Sequence, residues 1–434
     1  MDRKRIVGFP TITGLRTSLL RLAAILLMLG TAASINAQSL TDYLKIAATN
    51  NPELKAQYNQ YLAALEQVTQ VGALPDPTFS LGYFISPVET RVGPQQVKLS
   101  LAQQLPWFGT LTAQEDAAAQ KAVAQLIQVE VVKQQLFFQV KKQWYILYEN
   151  QKIVELTEEN IEILRSLESL ALTRYEAGVA GLVDVIRAQL LISEMENELQ
   201  LLEDNNKPLK ARFNQLLNQD LASNIVTADT LAQVIRQPIS FDQLVSTHPQ
   251  VQYYNSLQEE LNLQNKIAVL GGKPRFGVGL DYGLISERNI SDLPDNGKNI
   301  LMPMVSISLP LNQKKYRAQQ REVDHKKASV QEQTQALLNQ LSTDYEYAQR
   351  DYKDAERKTV LYKEQINQSN QALNILISSF SAAGQDFEEV LRMQQLILKY
   401  QTLWIKAQVA QHTAMAWLEY LSSEYNLNQE QDEN

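Results

Sequence analysis

The chain has 434 residues, 44% of them hydrophobic and 20% charged, with 40 Lys/Arg against 48 Asp/Glu for a net charge of −8. The acidic balance argues against a nucleic-acid partner. Cysteine is absent, which excludes disulfides, thiolate chemistry and a lipid anchor carried on cysteine.

The N-terminus reads as a signal peptide over residues 1–37. Arg3, Lys4, Arg5, Arg16 and Arg21 form a basic region, Leu22 to Leu29 an apolar one, and small residues lead to Ala37 before Gln38. Ile35 departs from the A-x-A pattern. The apolar run is too short to span a bilayer. Removing this segment takes away five basic residues and one acidic residue, which moves the net charge from −8 to −12. No later apolar run approaches the ~18 residues of a transmembrane helix. An exported chain of this kind enters a membrane only as a β-barrel.

Residues 38–218 and 244–434 form two similar halves, joined by a connector over 219–243. Pro52 pairs with Pro249 and Pro77 with Pro274, both at a separation of 197. Phe79 then falls on Phe276 and Leu81 on Val278. Pro106 meets Pro310 at 204, and Arg187 and Gln189 meet Arg392 and Gln394 at 205. A register kept over separated blocks indicates a duplication with a period near 200 residues, far longer than that of solenoid repeats.

Each half follows the same plan. A helix is predicted from about Pro52 to Ala73, and again from about Pro249 to Leu270. Segments alternating with period two follow, at about 77–87 and 96–106, and at about 274–284 and 300–310. Phe79, Leu81, Tyr83 and Ile85 share one face, with Phe84 breaking the alternation; Phe276, Val278, Leu280 and Tyr282 do the same in the second half. SPVETRVGPQ and ISERNISDLPDNGKN between them read as polar loops. Ten tilted residues is about the length that crosses a bilayer. Proline and glycine then vanish from about Leu111 to Ala177 and from Asn312 to Ala383, so each stretch is a helix of about 100 Å. Ile153, Leu156, Asn160, Ile163, Leu167 and Leu170 form a heptad seam. So do Tyr362, Ile366, Ser369, Leu373, Leu376 and Phe380. Tips are expected near 178 and 383, and a further helix runs from about Leu182 to Asn218. Stacked end to end, the two shorter helices match the long one in length.

Four bilayer-length strands close no barrel, and open edges are not tolerated in lipid. Membrane barrels need about eight strands or more, so strands placed in a membrane require an oligomer. The chain resembles a TolC-family outer-membrane factor. NPELKA (Asn51 to Ala56), LPDPTFSLGY (Leu74 to Tyr83), QQLPWFG (Gln103 to Gly109), RYEAGVAGLVDVIRAQ (Arg174 to Gln189) and RFNQLLN (Arg212 to Asn218) carry the likeness. It implies an α+β membrane protein, a homotrimer whose 12-stranded β-barrel continues into a periplasmic α-helical barrel. It also implies outer-membrane lipid around the barrel, with a periplasmic adaptor and an inner-membrane pump as partners. The function it implies is an exit duct for efflux or type I secretion. The alternative is a periplasmic coiled-coil adaptor or scaffold without a pore.

No motif supports enzymatic chemistry, a cofactor or a metal site. His248, His325 and His412 lack ligand partners and read as surface or capping residues. By the resemblance, the helical breaks are tips where small residues admit an adaptor. Arg174, Tyr175, Gly178, Val179, Phe380 and Gly384 are the candidate docking residues. Asp184, Asp386, Glu388 and Glu389 lie just past the turns, where three copies would form carboxylate rings at the channel mouth; ordinary acids at helix N-termini explain them equally well. Phe79, Tyr83, Phe84, Trp107, Phe276 and Tyr282 suit either an interfacial girdle or core packing.

Overall fold

The computed structural model describes residues 39–232, 240–289, 294–383 and 387–423. The expected signal peptide lies outside them, as do Gly384 and Asp386. The first half contains α1 (Leu40–Asn50), α2 (Pro52–Gly72), β1 (Thr78–Thr90), β2 (Gly93–Leu105), α3 (Thr110–Glu176) and α4 (Leu182–Leu217). The second contains α5 (Phe241–Thr247), α6 (Pro249–Gly271), β3 (Arg275–Ile285), β4 (Ile300–Ser308), α7 (Gln313–Ala383) and α8 (Phe387–Ser422). The element order is the same in both halves.

The repeat extends to the helix starts. Pro52 and Pro249 occupy first-turn positions, where a missing N–H costs nothing. Asn51 caps α2, its Oδ1 accepting from the amides of Glu53 and Leu54 at 3.0 and 3.1 Å. His248 caps α6, its Nδ1 accepting from Gln250 N at 3.2 Å. Helices α1 and α5 are additions to the sequence-based plan. Each opens with a capping box, Ser39 with Asp42 and Ser240 with Gln243, a signal present in the sequence. Because α5 starts at Phe241, the connector ends earlier than expected. Its first part is built into the core: Ile225 is buried, and Val226 N donates to Tyr43 Oη at 2.9 Å.

Long helix α3 packs along α2 and α4, as the matched lengths predicted, and also against α6 and α8. Helix α7 packs on α6 and α8. The main packing order is therefore α2–α3–α6–α7 beside the sheet and α4–α3–α8–α7 toward the tips. In α3 the buried seam is displaced from the predicted one. Leu164 is 1% exposed, whereas Ile163 is 44% exposed. Thr157, Asn160, Ile161, Leu164, Leu167 and Ala171 are the buried positions. Two apolar rows run side by side here, and only packing selects between them. Ser369, Leu373 and Phe380 of the predicted α7 seam are buried.

The four strands form one antiparallel sheet in the order β1-β2-β3-β4, so β2 and β3 join the two halves. Most of SPVETRVGPQ is strand rather than loop. The hairpin turns on Arg91 and Val92 alone, next to Gly93 at φ +137°, where a Cβ would lie 2.0 Å from Ser286 O. The register slips between Tyr83 and Val88. That bulge absorbs Phe84, which broke the alternation, and Pro87, which has no amide to donate. Strand β4 stops at Ser308, before Pro310.

Candidate functional site

The sheet turns the usual arrangement inside out. Phe79, Leu81 and Tyr83 stand opposite Leu101, Leu99 and Val97. These pair in turn with Leu280, Tyr282 and Leu284, and Leu280 and Tyr282 with Pro303 and Leu301. One apolar face therefore runs across all four strands. It is exposed, with Phe79 at 66% and Tyr83 at 68%, and among the described residues no helix packs on either face. The opposite face carries Ser80, Ser100, Lys98, Gly277, Gly279, Asp281 and Gly283. There Lys98 Nζ lies 2.5 Å from the buried Asp281 carboxylate. A water-soluble sheet buries its apolar face; this sheet presents it.

An aromatic cluster marks where strands meet helices. Trp107 stacks on Phe276 at 5.9 Å, and exposed Phe108 lies 6.0 Å from Trp107 and 6.3 Å from Phe276. Among the described residues no helix is long and apolar enough to cross a membrane.

At the far end, α3 closes with a Schellman turn. Gly178 N donates to Tyr175 O at 2.9 Å and Val179 N to Arg174 O at 3.0 Å. Gly178 has φ +68°, the left-handed conformation this turn requires. No other atom lies within 4 Å of where its Cβ would be. Gly181 is extended, at φ −86°, so only the first of the two glycines is demanded by the backbone. Tyr175, Gly178 and Val179 are exposed.

Two docking candidates turn inward instead. Phe380 is 2% exposed, in the tip core with Phe387 at 5.1 Å. Arg174 lies over its ring at 4.5 Å and donates to Ser381 O at 2.9 Å. These contacts bury Phe380 and make Arg174 a link between the two tips. Gly384 falls outside the described residues.

The acidic candidates are ion-paired. Arg187 on α4 reaches Asp184 at 3.6 Å and Glu388 on α8 at 3.0 Å. Glu389 pairs with Arg392 on its own helix. Arg187 thus bridges α4 and α8, while its repeat equivalent Arg392 pairs with Glu389 in its own helix. Asp386 lies outside the described residues. Deeper in, Gln394 Nε2 donates to Asn160 Oδ1 at 2.9 Å, both side chains buried between α8 and α3.

Two of the three histidines are built into the packing. His248 is the buried cap of α6, and His325 is exposed. His412 is neither on the surface nor a cap. It packs on Tyr145 at 5.3 Å, and burial pushes it down to about 4.

These features match known proteins. The family model for outer membrane efflux proteins matches residues 43–219. The first half of the chain therefore resembles outer membrane efflux proteins in sequence. The fold likeness is wider. The outer membrane protein VceC of Vibrio cholerae superposes with a TM-score of 0.70 at 15% identity, over 88% of this chain and 95% of that one. The Campylobacter jejuni CmeC outer membrane channel gives 0.71 at 12%, over 91% and 88%. The open state of the Neisseria gonorrhoeae MtrE outer membrane channel gives 0.72 at 15%, over 88% of each. No curated protein matches by sequence. The chain therefore has the fold of outer-membrane channels along most of its length.

One surface feature of the tip was not anticipated from the sequence. Val183, Ile186 and Leu190 form an exposed apolar stripe on α4, opposite buried Val185, Ala188 and Ile192. Their 3-and-4 spacing, continued back to Val179, was the available signal.

Proposed function

We propose that this chain is the outer-membrane exit duct of a tripartite efflux or type I secretion system, a passive conduit from periplasm to exterior with no enzymatic step. The uncovered apolar face across four strands carries this reading, because lipid is the solvent that favours it. A single sheet leaves β1 and β4 with unpaired edges, and lipid cannot satisfy them. Three copies joined β4 to β1 supply twelve strands and close the barrel. The helices leave matching flanks. Helices α2 and α4 end one side of the packing order and α7 the other. Exposed Val183, Ile186 and Leu190 on α4 then meet the next copy's α7, where Val360 and Ile375 are exposed.

The tips point away from the barrel, toward an adaptor and an inner-membrane pump. Tyr175, Gly178 and Val179 form the docking surface in this reading. Gly178 lets another backbone approach where no side chain stands. Asp184, Glu388 and Glu389 sit just inside and act through their arginine pairs rather than as bare carboxylate rings.

Purified protein reconstituted in lipid tests this. The expected results are a trimer mass by cross-linking, heat-dependent gel migration and single-channel conductance. A water-soluble monomer with no membrane association overturns it.

A further inference from the structure

The two halves differ in charge where strands meet helices. By the repeat offsets of 197 and 204, Asp76, Thr110, Leu111 and Ala113 correspond to Lys273, Lys314, Lys315 and Arg317. All four second-half positions are basic and exposed; none of the first-half positions is basic. Glu115 and Asp116, in the first turns of α3, correspond to Gln319 and Gln320 in α7. The duplication thus supplies an internal control. The same backbone plan is acidic at one junction and basic at the other.

The second junction is spatially compact. Tyr316 packs against Gly271 and Gly272, its ring carbons 3.5 and 3.4 Å from where their Cβ atoms would be. This holds the start of α7 beside Lys273. No ion pair to Lys273, Lys314, Lys315 or Arg317 is formed among the described residues; Lys315 Nζ lies 5.7 Å from the centre of the Tyr316 ring. Cations in the first turns of a helix also oppose its macrodipole, so the fold alone disfavours them there. Leu309 and Leu311, the latter 88% exposed, separate this cluster from the apolar band of the sheet, and Trp107 and Phe108 just past β2, with Phe276 on β3, mark the corresponding level. Apolar band, exposed leucines and then unpaired cations follow the polarity of a membrane from its hydrocarbon to its headgroups.

We infer that Lys273, Lys314, Lys315 and Arg317 form a binding patch for the phosphate headgroups of anionic phospholipid in the periplasmic leaflet. This rests on the outer-membrane reading. It gives the trimer three lipid-binding sectors, one per second repeat, alternating with three that lack them.

The test compares native protein with a K273Q/K314Q/K315Q/R317Q variant in bilayers of phosphatidylethanolamine mixed with phosphatidylglycerol of matched acyl chains. Lipid co-released with the trimer is counted by native mass spectrometry. The expected result is an enrichment of phosphatidylglycerol of about tenfold or more in native protein, lost in the variant, whose trimer persists. Salt near 1 M, where the Debye length is about 3 Å, should weaken it. Equal lipid ratios in native and variant protein overturn the inference. Displacement of the lipid by millimolar inorganic phosphate also overturns it, showing a site for free anion. Loss of the variant's trimer overturns it too, because the cations then serve the neighbouring copy. Failure of native protein to insert into either bilayer removes the duct reading itself.

Discussion

Arg174, in the last turn of α3, donates to the carbonyl of Ser381 in α7 at 2.9 Å and covers the Phe380 ring at 4.5 Å. One side chain therefore joins the tips of the two halves, which are 207 residues apart in sequence. Its neighbours Tyr175, Gly178 and Val179 stay exposed. The same turn holds the tips together and presents a surface.

Replacing Arg174 by Ala removes one hydrogen bond and one cation–π contact at a half-buried site, worth about 1–2 kcal/mol together. The trimer should persist. Amide exchange near 375–383 should accelerate, and single-channel conductance should rise as the tips loosen. Unchanged exchange in that segment would show that the contact does not restrain the tip.

Gly178 is held at φ +68°, so any side chain there costs about 1–2 kcal/mol through the backbone alone. Since its Cβ position is open, Gly178→Asp should leave trimer assembly intact and abolish adaptor-dependent export. Loss of the trimer would assign the glycine to folding rather than docking.

The stripe on α4 gives the reverse pattern. Val183→Asp or Ile186→Asp should leave the protomer folded, because neither side chain is buried within it. Sedimentation or cross-linking should show weakened trimers. A charge tolerated at both sites without loss of assembly would place the inter-copy contact elsewhere.

Asn160 and Gln394 satisfy each other in a buried site. Replacing either one by Leu strands its partner, at about 1–3 kcal/mol. The N160L/Q394L double variant should recover most of that loss in thermal unfolding. Additive losses would mean that the two side chains do not act as a pair.

His248 and His412 are both pushed down to about 4 by burial. Unfolded histidine titrates near 6.5. The unfolded chain therefore takes up protons first as pH falls. The stability of the neutral buried form is complete above about 6.5 and declines as pH drops toward about 4, by about 1–3 kcal/mol per residue. Thermal midpoints measured from pH 7.5 to 4.5 should fall accordingly. His248→Asn restores the cap residue that Asn51 provides in the first half and should flatten part of the decline. An unaltered pH profile would assign the acid sensitivity to other groups.

Sequence alone determined the duplication, because prolines, aromatics and Arg/Gln pairs keep their offsets through both halves. It also determined the long helices, since dozens of residues without proline or glycine leave the backbone no cheap place to stop, and the two-faced strands, since period two has only one structural meaning at that length. Other features required three dimensions. The extent of β1 depended on a bulge near Phe84 and on Gly93 fitting under Ser286. The seam of α3 depended on whether Ile163 or Leu164 met a partner, and adjacent apolar rows look alike in one dimension. Phe380 and Tyr175 are both aromatic residues near a tip; only packing buried one and left the other exposed. Arg174 bonds a backbone carbonyl, which no residue identity at the other end announces. Local pattern is set by covalent neighbours and is legible in the chain. The choice among equivalent faces is set by what packs against them, and that exists only once the two halves have folded together.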